Sequence, residues 1–214
     1  MRKTLILILS VLMVTAAITP VYADDSWTDT QKAANQMATI ARSIGLPESN
    51  PIIQEASRIW WAEYDYQKQA KAAADAEFLQ SHYTDAVMMA RVMFCEARGI
   101  GSKRELSMIC WCILNRLDSG RFQGSIPAII TADGQFAYRK SAPMVNDHGI
   151  DLFALAQDVL LRWQAEREGE VNVGRTLPKE YCFYKGNGYH NYFQLTNNGK
   201  KVLDFGLEDP YAGQ

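Results

Sequence analysis

The sequence predicts an α+β protein that is mainly helical. Apolar residues recur at helical spacing from Thr28 to Glu168, and an alternating aromatic stretch then surrounds an Asn-Gly pair at Asn187-Gly188. The last pattern reads as one small C-terminal β-hairpin, so the expected architecture is a helical body carrying a minor sheet.

Before that body lies a different kind of segment. Arg2 and Lys3 precede an apolar run from Leu5 to Ile18, and Val21-Tyr22-Ala23 then leads into Asp24-Asp25. A basic start, an apolar stretch and a small-x-small site read as a secretory signal over residues 1–23, cut after Ala23; the competing reading is a retained membrane anchor. The chain is accordingly expected outside the cytoplasm, secreted or in the cell wall, with no stable membrane span after signal removal. Of 214 residues, 24 are Asp or Glu and 22 are Lys or Arg. Removing Arg2 and Lys3 makes the balance more acidic. With no basic block and no basic-aromatic interleaving, nucleic acid is excluded as an expected partner.

Residues 24–82 read as a helical extension. Thr28 or Asp29 caps a helix ending at Gly45, and Asn50-Pro51 supplies an N-cap and a first-turn proline for a long helix continuing through QKQAKAAADAEFL to Ser81. Its alanines and lysines favour helix but bury little, which suits an extension, with a protein partner as one possible occupant. For Trp60-Trp61, helical spacing favours packing against the main domain over a sugar-stacking surface.

The main domain is expected over residues 83–207, with a loose tail at 208–214. Thr84 reads as the N-cap of a helix placing Met89, Val92, Met93 and Glu96 on one face, with Gly99 at its C-terminal end. A carboxylate in an apolar stripe near the negative end of the helix macrodipole is disfavoured in its ionised form, the property a general acid requires. Arg98 opposes this if its guanidinium turns inward, and structural buried glutamates are common. Ser102 and Glu105 form an S-x-x-E capping box, giving Glu105 a structural task. Leu106, Ile109, Cys110, Ile113 and Leu117, with Met108, Trp111 and Leu114 around them, mark a helix at the centre of the domain.

Ser125 and Pro127 open a short helical turn through Ile130, and Asp133-Gly134 a turn that exposes Gln135, Phe136, Ala137 and Tyr138. An amide beside two aromatics suits a sugar-binding wall, although Phe136 in the core and Tyr138 on the surface is an equally good reading. Asp151 to Glu168 is a third amphipathic helix of the domain, carrying Leu152, Leu155, Ala156, Val159 and Trp163 and ending at Gly169. The hairpin is expected as Tyr181–Tyr184, a turn at 185–188, and Tyr189–Phe193, with a further short strand at 201–205.

Cys95, Cys110, Cys112 and Cys182 are the four cysteines. Cys110 and Cys112 point to different sides of one helix and should not pair; a bridge to Cys182 and buried free thiols both remain open. With His82, His148 and His190 as the only histidines, no metal site is expected, and no cofactor motif occurs.

The runs MARVMFCEARG, RELSMICWCILNRL, Ile126-Pro127 with Ile129-Ile130, and ADGQF occur in this order, and HNYF follows. Together they resemble the cell wall hydrolase family that includes the spore-cortex-lytic enzyme SleB, over roughly Tyr83 to Phe193. The resemblance implies a lysozyme-like, lytic transglycosylase-like domain. It also implies cleavage of peptidoglycan glycan strands between N-acetylmuramic acid and N-acetylglucosamine, with Glu96 as catalytic acid. Ile100-Gly101, an apparent insertion before Glu105, and Glu105 itself depart from the family pattern.

Glycoside cleavage normally uses two carboxylates, about 5–5.5 Å apart for retention or about 6.5–9.5 Å for inversion. Asp133, Asp147 and Asp151 read as turn or cap residues. One glutamate suffices if the muramic acid 6-hydroxyl attacks, which gives a 1,6-anhydro product by lytic transglycosylation. The alternatives are a hydrolytic muramidase using one of those aspartates and a non-catalytic wall-binding or assembly protein. Gln135, Phe136, Tyr138, Tyr189, His190 and Tyr192 are the candidate substrate contacts.

Overall fold

The computed structural model describes residues 27–213, so the signal reading at residues 1–23 lies outside the described residues. The described chain forms six helices and one two-stranded sheet: α1 (Asp29–Ser43), α2 (Pro51–Ser81), α3 (Tyr83–Ala97), α4 (Lys103–Ser119), α5 (Ile126–Thr131), α6 (Leu152–Arg167), β1 (Phe183–Gly186) and β2 (Asn191–Gln194). Among these residues, no helix is long and apolar enough to cross a membrane. The chain divides into two compact units at Ala73/Ala74, inside α2. The sequence places that boundary at residues 82/83. The last turns of α2 belong instead with the second unit, where Phe78 packs on the core and stacks on His82 at 4.1 Å.

In the first unit, Thr28 is the N-cap of α1, its hydroxyl accepting from Gln31 N–H while the Gln31 side chain accepts from Thr28 N–H. Gly45 follows the helix at φ 82°, a conformation open to glycine without a Cβ penalty. Asn50 Oδ1 accepts from Ile52 N–H at the start of α2. Only Ile53 and Ala56 of α2 are buried, and Trp27, Trp60, Trp61 and Tyr64 form an aromatic cluster on this unit.

The second unit is organised around α4, in which Glu105 through Arg116 are buried without interruption. Helices α3 and α4 both pack on α6, and α5 covers α3 and α4. The apolar faces of α3 and α6 are the expected ones: Met89, Val92 and Met93 from one, Leu152, Leu155, Ala156, Val159 and Trp163 from the other. Asp151 caps α6 by accepting from Phe153 and Ala154 N–H, and Ser125 caps α5 by accepting from Ala128 N–H. Gly120 ends α4 at φ 63°.

Several boundaries differ from those expected. Helix α3 begins at Tyr83 behind His82, not behind Thr84, because the backbone of α2 continues almost unbroken: His82 N–H reaches Phe78 O and Ala86 N–H reaches His82 O. Gly99 is not a left-handed cap; Arg98 stays right-handed and Ile100 N–H bonds to Ala97 O. Lys185 and Gly186 belong to β1, since Phe183 pairs with Gln194 and Gly186 with Asn191 in antiparallel register. The turn is 187–190, closed by Asn187 Oδ1 accepting from Tyr189 and His190 N–H, with Gly188 at φ 89°. The expected strand at 201–205 is reduced to a single bridge between Phe193 and Val202. The 208–214 tail is not loose where described: Tyr211 is buried, and its hydroxyl donates to Asp158 at 2.8 Å. Burial, and then the Asp158 charge, pushes that phenol well above its usual range. All four cysteines are free, and burial pushes the Cys112 thiol up to about 12.

Candidate active site

Glu96 stands in the last turn of α3, half-buried, at the rim of the apolar stripe and not within it. Its Oε1 accepts from the Ala137 backbone N–H at 2.5 Å, so the loop carrying the Asp133-Gly134-Gln135-Phe136 sequence closes onto the carboxylate. The Tyr184 hydroxyl is buried beside it, near enough to feel its charge but outside hydrogen-bonding geometry. Burial first, and then the Glu96 charge, drive this phenol well above its ordinary range, which keeps it neutral and a potential donor to the carboxylate.

The loop is held by Arg116, in the last turn of α4. Its buried guanidinium donates to Gln135 Oε1 at 2.8 Å and to Cys182 O at 2.7 Å. The same group lies over Phe136 at 4.4 Å and Phe122 at 5.0 Å from the ring centres. Gln135 is therefore a tether for the loop, and Phe136 is engaged by a cation, with Tyr184 6.0 Å away. Neighbouring Asn115 donates to Pro178 O and Tyr181 O, so two adjacent polar residues pin the segment leading into β1. A cation and an amide closing a helix otherwise apolar on all sides are the signal for this, since buried polar groups must find partners.

The turn after Glu96 is held by a second loop, the one that carries Asp147. Asp147 N–H bonds to Arg98 O at 3.1 Å, Asn146 Nδ2 to Ile100 O at 2.8 Å, and His148 Nε2 meets Gly99 O at 3.0 Å. The His148 ring packs on Gly101, where a Cβ would meet it at 3.3 Å. Arg98 turns outward, 63% exposed, and faces Asp147 at 3.8 Å.

The capping box at the start of α4 is only half formed. Ser102 Oγ accepts from Glu105 N–H, but the Glu105 carboxylate does not return to Ser102. It crosses to the hairpin instead: Oε1 accepts from Asn191 N–H at 2.6 Å and Oε2 meets His190 Nδ1 at 3.0 Å. Spacing along a helix cannot reveal this contact, which joins residues 85 and 86 apart.

A cavity of about 280 Å³ results, lined by Cys95 to Ile100, Asp147, Gly186, Gly188, His190 and Asn191. Of the predicted site residues, Glu96 and His190 share this cavity. Gln135, Phe136 and Tyr138 stand on the loop bonded to Glu96, and Tyr138 is half-buried against the core. Tyr189 projects from the turn, 81% exposed, and Tyr192 lies beside the His190 ring at 6.2 Å. Asp147, expected as a turn residue, also lines the cavity, while Asp151 is committed to capping α6. The site can thus present a carboxylate with a fixed orientation, a second exposed carboxylate and an imidazole. Comparison with family models, with curated proteins and with solved structures gives no match.

Proposed function

We propose that the chain is an exported peptidoglycan-cleaving enzyme of the SleB-like, lysozyme-like type. It acts on the bond between N-acetylmuramic acid and N-acetylglucosamine as a lytic transglycosylase. The observation that supports this most is the Glu96 carboxylate, half-buried at the edge of a cavity and oriented by the Ala137 N–H. Glu96 gives a proton to the bridging glycosidic oxygen as the bond from that oxygen to C1 breaks. The muramic acid 6-hydroxyl oxygen bonds to C1, and its proton passes to the Glu96 carboxylate, restoring the acid and leaving a 1,6-anhydro end.

A second reading rests on Asp147. It shares the cavity with Glu96, is 60% exposed, and has only a 3.8 Å ion pair with Arg98. A hydrolytic muramidase would use it to activate water. Digestion of purified peptidoglycan with the mature chain, followed by mass spectrometry of the new glycan ends, separates the readings. Anhydro ends are expected; reducing ends alone would assign the chemistry to the Glu96–Asp147 pair. Binding without new ends would make the chain a wall-binding protein.

A further inference from the structure

One buried hydroxyl beside the site has no partner, and the reaction written above makes no use of it. Tyr184 Oη is shut off from solvent and forms no hydrogen bond, a cost that a folded chain seldom carries without a reason. Packing accounts for the ring alone: it lies 5.6 Å from Phe193, its register partner across the hairpin, and 6.0 Å from Phe136. Phe136 adjoins Ala137, whose N–H holds Glu96 Oε1. Side chains alternate along β1, so Tyr184 shares a face with Gly186, which lines the cavity containing Glu96. The hairpin thus brings its phenol, and the loop its amide N–H, to one carboxylate. Two acceptors of neighbouring residues, Gln135 Oε1 and Cys182 O, are taken by Arg116, which leaves the Glu96 carboxylate for the phenol.

We infer that Tyr184 is a positioning residue whose hydroxyl donates to the Glu96 carboxylate once that group has released its proton. This deepens the proposed function and rests on it for the step concerned. Glu96 is neutral before it protonates the glycosidic oxygen and negative afterwards. A donor that engages only the negative form stabilises the state reached as the glycosidic bond breaks, and so acts on the barrier and not on the binding of substrate. The contact closes by rotation about the last Glu96 side-chain bond, a soft torsion. It opens again when the muramic acid 6-hydroxyl returns a proton to Glu96. The phenol keeps its own proton throughout, so the atoms and charges of the proposed step are unchanged.

A hydroxyl kept for this purpose weakens the fold while serving the chemistry, and Tyr184→Phe, which deletes it and leaves the ring, separates the two. On soluble peptidoglycan fragments kcat should fall about 10–100-fold, the worth of a neutral donor to a charged acceptor. KM should stay within about threefold of native, because Tyr184 acts through Glu96 and not on the substrate. The unfolding midpoint should stay at the native value or rise, because an unpaired buried group has been removed. Carbon NMR of Tyr184 Cζ supplies a readout that needs neither that variant nor turnover. In the native chain the signal should move as the solution is acidified from neutral, and in Glu96→Gln it should stay still. The other groups bearing on the phenol keep their state over that range: Arg116 remains a cation, and burial pushes the Cys112 thiol up to about 12. Native-like kcat in Tyr184→Phe, a lowered midpoint, or a Cζ signal indifferent to Glu96 would overturn the assignment. A native chain that makes anhydro ends while the Cζ signal stays still loses this inference alone. One whose Cζ signal follows Glu96 but which cuts no peptidoglycan loses the proposed reaction and keeps the pairing.

Discussion

Two glutamates stand at either side of one short turn, and the chain treats them in opposite ways. Glu96, ending α3, is half-buried, with its Oε1 held by one backbone N–H. Glu105, in the first turn of α4, is 6% exposed, and both of its oxygens are met, by Asn191 N–H and His190 Nδ1. A carboxylate whose oxygens are both occupied inside the protein is holding the structure together. One fixed through a single oxygen at a cavity rim is oriented yet open to a ligand. The difference lies in where the surrounding loops bring their N–H groups, since both residues sit near helix ends.

The comparison breaks most severely on the Glu96 side if Arg116 is removed. Arg116→Ala deprives Cys182 O and Gln135 Oε1 of their donor and leaves Phe136 without its cation. Stability should fall by roughly 3 kcal/mol, read by denaturant unfolding, and the proposed wall-cleaving activity should fall with it because the Ala137 loop loses its anchor. On the other side, Glu105→Ala leaves a buried Asn191 N–H unpaired and should cost about 2 kcal/mol, whereas Glu105→Gln keeps an acceptor and should cost less. If Glu105→Ala unfolds at the native midpoint, Glu105 is not structural.

The turn between the two glutamates offers a smaller test. Asn146 donates to Ile100 O and accepts from His148 and Ile150 N–H. Asn146→Ala should cost about 1.5 kcal/mol and lower turnover, because the backbone that spaces Glu96 from Glu105 loosens. A control lies away from both residues. Burial raises the Glu166 carboxyl, but Arg175 at 2.8 Å and Lys179 at 3.3 Å outweigh it, so the group lies below its ordinary range. A carboxyl lowered by folding stabilises above its unfolded-state pKa, and that contribution is lost as pH falls through the folded value. The unfolding midpoint should therefore drop as the pH is taken through and below the ordinary carboxylate range, and Glu166→Gln should flatten that part of the profile.

Much of the helical body was legible because its signals are local. Thr28, Asn50-Pro51, Ser125-Pro127 and Asp151 are start signals that act within one turn, and the apolar stripes of α3, α4 and α6 repeat at helical spacing. Glu96 could be singled out for the same reason. What holds the site together was not legible, since it is made between distant segments: Ala137 to Glu96, Arg116 to Cys182 and Gln135, Asn146 to Ile100, and Glu105 to the hairpin. Glu105 shows the limit most clearly. Its S-x-x-E spacing is genuine and Ser102 does cap α4, yet the carboxylate finds better partners across the fold than on its own helix.

Glu96 is proposed as the chemical carboxylate of the pair, and the rate of glycan-end release from purified peptidoglycan by Glu96→Gln beside the native chain tests this most directly. A loss of about 10²–10⁴-fold at an unchanged unfolding midpoint is expected. Native-like release by Glu96→Gln would contradict it.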